Sequence, residues 1–269
     1  MGAVGNRADA WGLKAMADAH GTRLRLDQHL VSLGLFDSRA QAAAAIKVGQ
    51  VFINGTAARK ASQSISANDT ITAQAAHGYV SRGGLKLDKG LNHFGYHVAD
   101  RVVVDVGAST GGFSDVLLQN NVGYLYALDV GHGQLHERIA ANARVSNLEK
   151  HNAREAVADW FDRPLDALVC DVSFISLKLA LDKLLHLIND GGWALILVKP
   201  QFEVGKAALG KNGVVGDAAL HQSVCDDIVA WLNAHSADWQ VDGVIESPIT
   251  GPQGNVEFLL GAQKNDPQC

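Results

Sequence analysis

Four ionisable residues have the types and positions expected of one catalytic site: Lys86, Asp171, Lys199 and Glu257. The last three each lie at one end of a short apolar run that has the length of a buried strand. A charge at the tip of a buried strand costs free energy unless it is paired or takes part in chemistry. Three such charges on separate strands, with a lysine upstream, therefore predict a single site.

A glycine-rich segment indicates what this site binds. The segment Asp105-x-Gly107-x-Ser109-x-Gly111-Gly112 follows an apolar run, and the next apolar run, 124–128, ends at Asp129. Glycines let the backbone approach a ligand, and a carboxylate at the next strand tip can accept hydrogen bonds from ribose hydroxyls. The spacing is not GxGxxG, and Asp105 puts a carboxylate where a cationic ligand would lie. We therefore favour S-adenosylmethionine over a dinucleotide, with a dehydrogenase site and a purely structural turn as alternatives.

The elements that must position these residues alternate between strand and helix from about residue 80. The apolar patterns predict strands at 101–106, 124–128, 167–170, 193–198, 240–246 and 257–261, and helices at 113–119, 175–188 and 218–234. Residues 189–192 (Asn-Asp-Gly-Gly) are the predicted stop of the second helix. The alternation predicts a mostly parallel sheet covered on both faces by helices. No helix fits between the last two strands, so we expect an α/β, Rossmann-like methyltransferase fold that ends in an antiparallel hairpin.

The length of 269 residues suggests one large domain and one small one. Charge is unevenly spread, because residues 1–99 carry 11 Lys/Arg against 6 Asp/Glu and residues 100–269 carry 12 against 22. A basic front followed by an acidic body is consistent with a nucleic-acid-binding front, although simple scatter is the alternative.

Residues 23–73 have the pattern of a small α+β domain. The predicted elements are a helix around Leu26, Leu30 and Leu33, a helix over 39–48 capped at Asp37-Ser38, a strand over 51–53, an Asn54-Gly55 hairpin turn and a strand over 70–72. This order and the run Gly49-x-Val51-x-Ile53-Asn54-Gly55 resemble the alpha-L RNA-binding module. The resemblance implies binding of structured RNA by shape and phosphate contacts. Candidate RNA-binding residues here and in the large domain are Arg23, Arg25, Arg39, Lys47, Arg59, Lys60, Arg82, Lys206 and Lys211.

The predicted domain limits follow from these patterns. They are a loosely ordered extension at 1–21, in which 11–19 could form a short helix, the RNA-binding domain at 22–74, a linker at 75–80, the methyltransferase domain at 81–263 and a tail at 264–269. The loop 202–216 is expected to close over RNA or to be a plain solvated loop.

Several classes of protein are not favoured by the sequence. No apolar run reaches the roughly 18 residues of a membrane helix, and residues 1–21 lack the apolar region of a secretory signal. The three cysteines have no CxxC spacing, and the 11 histidines show no HxxxH or HExxH pattern, so no metal site is predicted. We expect a protein of the reducing cytoplasm.

Six runs in order make residues 23–262 resemble the TlyA (haemolysin A) family of RNA methyltransferases. They are YVSRGGLKL (79–87), DVGASTGGFSDVLL (105–118), ALDVGHGQL (127–135), CDVSFISL (170–177), LVKPQFE (197–203) and GPQGNVEFLL (251–260). The resemblance implies 2'-O-methylation of ribose in ribosomal RNA, classically at cytidine, with ribosomal RNA or ribosomal subunits as partners and S-adenosylmethionine as methyl donor. It also implies a Lys-Asp-Lys-Glu tetrad shared with FtsJ-like enzymes, which falls on the four residues above.

The same resemblance, together with the strand–loop–helix pattern, gives the expected cofactor-binding residues. They are Asp105, Gly107, Ser109, Gly111, Gly112, Phe113, Asp129, Val130, Asn152, Arg154 and Asp171, of which Asn152 and Arg154 come from the run HNAR (151–154).

The expected chemistry is the deprotonation and alignment of a ribose hydroxyl, which is a very weak acid. We expect Lys199 to contact this hydroxyl, as a general base or as an orienting donor, although a free lysine has a pKa of about 10.4 and is a poor base at neutral pH. Asp171 and Glu257 would fix Lys199, and Lys86 would tune the local field.

Other chemistries fit the sequence less well. Enzymes that methylate exocyclic amines carry Asn/Asp-Pro-Pro-aromatic, where this chain has Asp171-Val-Ser-Phe174, and enzymes that methylate cytosine C5 need a cysteine nucleophile. Cys170 is predicted to face the core. The remaining rivals are a non-catalytic RNA-binding or ribosome-assembly factor, and a cytolysin as the historical family name suggests.

Overall fold

The computed structural model describes residues 11–14, 24–32, 35–36, 38–47, 49–66, 69–73, 78–205, 208–210, 213–235, 238–251 and 254–266. The chain divides into two compact units, Met1–Ser81 and Arg82–Cys269. The finer domain limits expected from the sequence remain predictions.

The first unit is a small α+β domain. Its elements are β1 (Trp11–Lys14), β2 (Leu24–Arg25), α1 (Leu26–Ser32), α2 (Arg39–Lys47), β3 (Val51–Ile53), β4 (Thr56–Ala57), β5 (Ser64–Ile65) and β6 (Thr70–Ala73). The described strands form an antiparallel sheet in the order β1-β6-β3-β4 and a separate β2-β5 pair. Leu26, Leu30, Ile46, Val51 and Ile71 are buried together between the helices and the sheet, so the leucine pattern correctly predicts the core face of α1.

The hairpin turn at Asn54-Gly55 is confirmed. Both residues have positive φ, 50° and 78°, as a two-residue type I′ turn requires. Asn54 also accepts a hydrogen bond from Thr70 N at 2.8 Å and donates one to Asp69 at 2.8 Å, which ties the turn to the start of β6.

The expectation of a short helix over 11–19 is wrong for the four residues described there. β1 pairs antiparallel with β6, with Trp11 opposite Ala73 and Leu13 opposite Ile71. A glycine within so short a segment disfavours an isolated helix, whereas the edge of β6 offers unpaired backbone groups. The rest of this segment lies outside the described residues. Three residues of the predicted first and second helices, Leu33, Asp37 and Val48, also lie outside them.

The second unit has the expected α/β fold. Its strands are β7 (Val102–Val106), β8 (Tyr124–Asp129), β9 (Val145–Glu149), β10 (Leu165–Cys170), β11 (Ile188–Val198), β12 (Trp239–Glu246) and β13 (Phe258–Lys264). In the described part they form one sheet in the order β12-β13-β11-β10-β7-β8-β9. The neighbours from β11 to β9 are parallel, and β13 is antiparallel to both β11 and β12. The predicted antiparallel hairpin at the end is therefore confirmed.

Six helices of this unit are described, and they are α3 (Gly83–Phe94), α4 (Gly112–Gln119), α5 (Glu137–Ala140), α6 (Leu177–Leu187), α7 (Pro200–Glu203) and α8 (Ala218–His235). The apolar patterns predict α4, α6 and α8 but miss α3 and the single helical turns α5 and α7. Within the ranges that the structure describes, no helix combines the length and apolarity needed to cross a membrane.

The stop at 189–192 ends α6 as predicted, but these residues also belong to β11. Ile188 pairs with Leu165 and Trp193 pairs with Ala167, so the four residues between them form a bulge in the strand. Gly191 has φ of 72°, and Lys264 Nζ donates to Ile188 O at 2.7 Å. After the bulge, β11 pairs with β10 from Trp193 onward. β11 then continues to Val198, directly before Lys199.

Candidate active site

The site lies where the direction of the chain reverses in the parallel sheet. From β7 the chain proceeds outward to β8 and β9, and it then returns to β10 on the other side of β7. The loops after β7 and β10 diverge at this point, and a ligand crevice is expected there. A cavity of about 370 Å³ opens between them, lined by Gly107, Ser109, Asp129, Asp171 and Ser173 among others.

The structure brings the four predicted tetrad residues together as a chain of alternating charges. Lys86 Nζ lies 2.6 Å from Glu257 Oε2 and 3.8 Å from Asp171 Oδ2. Lys199 Nζ lies 2.5 Å from Asp171 Oδ1. The Glu257 side chain is 0% exposed and both lysine side chains are 8% exposed, whereas Asp171 is 22% exposed. Asp171 is thus the carboxylate that both lysines share, and it also faces the cavity.

Each tetrad residue is held by a different element. Asp171 follows β10, and its backbone N–H donates to Val106 O of the adjacent strand at 3.0 Å. Lys199 follows β11, and Pro200 starts α7 directly after it. Lys86 lies on α3, and Glu257 precedes β13. Three strand ends and one helix therefore position the four charges. The sequence analysis identified three of them because they lie at the ends of apolar runs.

Glu257 is the most confined member of the tetrad. Its Oε1 is buried and has no hydrogen-bond partner among the described residues. A Cβ at Gly251 would overlap this oxygen, so the backbone of the preceding loop packs directly on the carboxylate. Its pairing with Lys86 therefore offsets the cost of burying this charge.

Lys199 has a neighbour that the sequence reasoning did not single out. Its Nζ donates to Ser173 Oγ at 2.9 Å and lies 5.9 Å from the centre of the Phe202 ring. Ser173 follows Asp171 by two residues within the run CDVSFISL. This closeness to Asp171 is the sequence feature that could have identified Ser173 as a site residue. An ammonium group has three donors, so bonds to Asp171 and Ser173 leave one N–H for a further acceptor.

Six of the predicted cofactor residues line the cavity: Gly107, Ser109, Asp129, Val130, Asn152 and Asp171. Asp129 organises the cavity wall, because its carboxylate accepts from Ser109 N at 2.8 Å and from Gly131 N at 2.7 Å. Gly107 has φ of 83°, and a Cβ there would lie 2.8 Å from the carbonyl oxygen of Asp171. The glycine is therefore required where the β7 and β10 loops touch. Lining residues that the sequence reasoning missed include Gln134, Ala153, Ser173, Phe174 and Ile175.

The other five predicted cofactor residues are not among those that line the cavity. Gly111, Gly112 and Phe113 are buried where α4 begins, and Arg154 is exposed. Asp105 is fully buried in β7, where its Oδ2 accepts from Ser114 Oγ at 2.6 Å and its Oδ1 lacks a hydrogen-bond partner within the described ranges. Burial raises the pKa of the Asp105 carboxyl to about 7. The hydrogen bond from Ser114 opposes this effect, and the charge of Asp171 adds to it.

The predicted RNA-binding residues of the first unit fall into two groups. Arg25 and Arg39 are both half-exposed and bind the buried carboxylate of Asp27, each at 3.0 Å. The hydrogen bonds from Arg25 are the main reason that the pKa of Asp27 is lowered to about 2. The second group, Lys47, Arg59 and Lys60, is exposed.

The remaining RNA-binding candidates belong to other parts of the chain. Arg82 is partly buried in the second unit. Arg23, Lys206 and Lys211 lie outside the described residues.

Comparison with known proteins accounts for both units. The FtsJ-like methyltransferase family matches residues 79–264, and the S4 domain matches residues 24–71. The 16S/23S rRNA (cytidine-2'-O)-methyltransferase TlyA of Mycobacterium tuberculosis is 41% identical over 241 residues, which is 88% of this chain and 89% of that protein. Hemolysin A of Brachyspira hyodysenteriae is 35% identical over 237 residues, which is 88% of this chain and 98% of that protein.

A solved structure is similar to most of the chain. The protein described as "Putative hemolysin from Streptococcus thermophilus" is 39% identical, with a TM-score of 0.75 over 91% of this chain and 89% of that one.

Proposed function

The chain belongs to the TlyA (haemolysin A) family of FtsJ-like methyltransferases, and on that premise we propose that it methylates the 2'-hydroxyl of a ribose in ribosomal RNA. S-adenosylmethionine is the proposed methyl donor, and cytidine is the expected nucleotide because the M. tuberculosis relative is named for it. The observation that carries the proposal is the buried chain of alternating charges from Glu257 to Lys199, which ends beside a nucleotide-sized cavity.

The residues around the cavity fit the proposed donor. The volume of about 370 Å³ is within the range of about 300 to 1,000 Å³ for small-molecule sites. The carboxylates of Asp129 and Asp171 line it and would favour a cationic ligand. Bound S-adenosylmethionine supplies a methyl group on a positively charged sulfur. The glycine loop and Asp129 would hold the nucleoside part of the donor, and Val172 to Ile175 would cover the opposite side.

Lys199 is the proposed contact for the ribose hydroxyl. Asp171 and Ser173 occupy two of its donors, so the third can reach the hydroxyl oxygen and hold one of its lone pairs toward the methyl donor. Alignment of this kind can account for a large part of a rate enhancement. As the ribose oxygen bonds to the methyl carbon, the methyl–sulfur bond of the donor breaks, and the hydroxyl proton passes to the carboxylate of Asp171 next to Lys199. Lys86 and Glu257 hold Asp171 in place.

The first unit is the proposed RNA-binding part. The S4-domain match, the exposed Lys47, Arg59 and Lys60 and the arginine pair on Asp27 support phosphate contacts to structured RNA. Ribosomal RNA or whole ribosomal subunits are the proposed partners. This substrate implies that the protein works in the cytoplasm, because ribosomal subunits reside there.

The test is transfer of labelled methyl from S-adenosylmethionine to unmodified bacterial 30S and 50S subunits. We expect label on at least one subunit and a loss of about 100-fold in Lys199→Ala, the cost of a misplacement of about 1 Å of the reacting group. Lys178→Ala is the matched control, because this lysine pairs with Asp227 on the surface and should leave the rate unchanged. Absence of transfer to either subunit by the wild-type protein would refute the substrate class. Near-normal turnover by Lys199→Ala would refute the role of the tetrad.

A further inference from the structure

Helix α6 begins with an unusual cap. Ser176 occupies the N-cap position, but its side chain does not accept a hydrogen bond from the helix backbone. Its Oγ donates instead to Glu203 Oε2 at 2.7 Å, and Leu177 N donates to Glu203 Oε1 at 2.8 Å. A carboxylate from another element therefore satisfies a free backbone N–H of the first turn, where a negative charge is favourable.

Glu203 links the two loops that carry the Asp171–Lys199 pair. It is the last residue of α7, the single helical turn that starts directly after Lys199. Its two hydrogen-bond partners end the loop that starts at Asp171. The link therefore closes a ring in which Lys199 contacts the start of the loop and Glu203 holds its end.

The loop within this ring, 171–176, faces the cavity on its other side. Val172, Ser173, Phe174 and Ile175 all line the cavity. Phe174 has φ of 65°, a backbone conformation that a non-glycine residue adopts only when its surroundings hold it there. This residue is 90% exposed, and its ring contacts that of Phe202 at 5.0 Å between centres, which adds a contact between this loop and α7. A loop in this backbone conformation needs contacts with the rest of the unit at both of its ends.

We propose that Glu203 is a positioning residue of the reaction: its carboxylate sets the loop 171–176 against α7 and thereby fixes Asp171 and Ser173 around Lys199. Glu203 is not among the residues that line the cavity, and in the described part of the chain its side chain is hydrogen-bonded to Ser176 and Leu177 rather than to the four charges, so it acts through the loop. This inference rests on the proposed function, because it assigns Glu203 a role in the same site.

The experiment compares Glu203→Ala, Glu203→Gln and Ser176→Ala in the full chain. Alanine removes both bonds. Glutamine keeps the acceptor for Leu177 N–H, and Ser176 can rotate to accept from the amide. Ser176→Ala removes one bond and leaves the other. We expect kcat to fall about 10- to 100-fold in Glu203→Ala, as for a displacement of about 1 Å in a site, with the KM for RNA unchanged. Glu203→Gln should recover most of the rate, and Ser176→Ala should lie between.

Three further readouts separate positioning from general stability. The affinity for S-adenosylhomocysteine should fall in Glu203→Ala, amide exchange at Leu177 should accelerate, and the pH profile of kcat should change shape because the surroundings of Lys199 change. Glu155→Ala, at an exposed glutamate of the same unit, is the matched control and should match the wild type in all assays.

The outcomes distinguish this inference from the proposed function. Transfer by the wild type with an unchanged kcat and pH profile in Glu203→Ala would overturn the inference and leave the proposed function intact. No transfer by the wild type would overturn the proposed function. In that case, unchanged affinity for S-adenosylhomocysteine and unchanged Leu177 exchange in Glu203→Ala would refute the anchoring role, and a change in both would support it.

Discussion

The two lysines of the tetrad are paired with carboxylates that differ in burial. Lys86 is the ion-pair partner of Glu257, whose side chain is fully buried. Lys199 pairs with Asp171, which is partly exposed and also has Lys86 at 3.8 Å. A buried charge without a partner is costly, whereas a partly hydrated one is less so. Lys86 should therefore matter more for stability, and Lys199 more for turnover.

We predict that Lys86→Met lowers the free energy of unfolding by about 3 to 5 kcal/mol, the usual cost of breaking a buried ion pair. Lys199→Met should lower it less. Urea unfolding followed by circular dichroism measures both. The control is the double variant Lys86→Met/Glu257→Gln, which no longer buries an unpaired charge and should regain most of the loss. A double variant no more stable than Lys86→Met would contradict this assignment.

Asp105 gives the unfolding free energy a specific pH dependence. Its pKa is raised from 3.8 to about 7 by burial, so between these values the folded protein holds a proton that the unfolded chain releases. The contribution to stability is therefore complete below about pH 4 and is lost as the pH rises to about 7. Asp105→Asn keeps a group that can bond to Ser114 but does not titrate. Relative to the wild type, it should gain stability from pH 5 to pH 8 in urea unfolding, and an equal difference at both pH values would refute the prediction.

At the scale of elements, α3 carries Lys86 and is fixed by a glycine. Gly90 lies in the middle of α3, where a Cβ would come within 2.6 Å of Leu195 Cδ2 on β11. Glycine in a helix interior costs about 1 kcal/mol relative to alanine, so local preference argues against this helix. Contact with the sheet outweighs that preference, and the position of Lys86 depends on this close contact.

We predict that Gly90→Ala destabilises the second unit by about 1 to 3 kcal/mol, the usual cost of overpacking a core, despite its better helix propensity. The activity should also fall because α3 moves outward with Lys86. Chemical denaturation and the methyl-transfer assay measure the two effects. Lys89→Ala, at an exposed position of the same helix, is the control and should change neither. A more stable Gly90→Ala variant would show that Leu195 can make room.

The elements also show which parts of the fold the sequence can predict. The last parts of β10 (167–170) and β11 (193–198) are continuous apolar runs, so their ends and the charges at those ends can be read directly. β9 is only half-buried and mixes polar with apolar residues, and α3 is rich in glycine, so neither has a clear period. The cap that Glu203 provides for Leu177 and the hydrogen bond that Lys199 donates to Ser173 each join residues 26 positions apart. Contacts of this kind depend on tertiary packing, which no local pattern encodes.

At the scale of the whole molecule, the chain separates charge between its units. The first unit carries 8 Lys/Arg against 5 Asp/Glu, whereas the second carries 15 Lys/Arg against 23 Asp/Glu. Phosphate contacts from the first unit would supply affinity that depends on salt, and the tetrad would supply the reaction. Changes in the exposed basic residues should therefore alter binding without altering the chemical step.

We predict that the double variant Arg59→Ala/Lys60→Ala weakens binding to ribosomal RNA by several-fold and lowers the slope of log affinity against log salt by about one for each phosphate that the protein no longer neutralises. The rate at saturating RNA should stay unchanged. Filter binding at several salt concentrations and single-turnover kinetics measure these quantities. Lys178→Ala is again the control. A variant with unchanged affinity and slope would contradict RNA binding through this surface.

The most direct test of the central claim is where the transferred methyl group lies. Ribosomal RNA labelled by the wild-type protein is digested to nucleosides, and mass spectrometry separates the mass of the base from that of the ribose. We predict that the methyl group is on the ribose of a 2'-O-methylcytidine and that this product disappears with Lys199→Ala. A methyl group on the base would contradict the tetrad mechanism, although the fold and the methyl donor would stand.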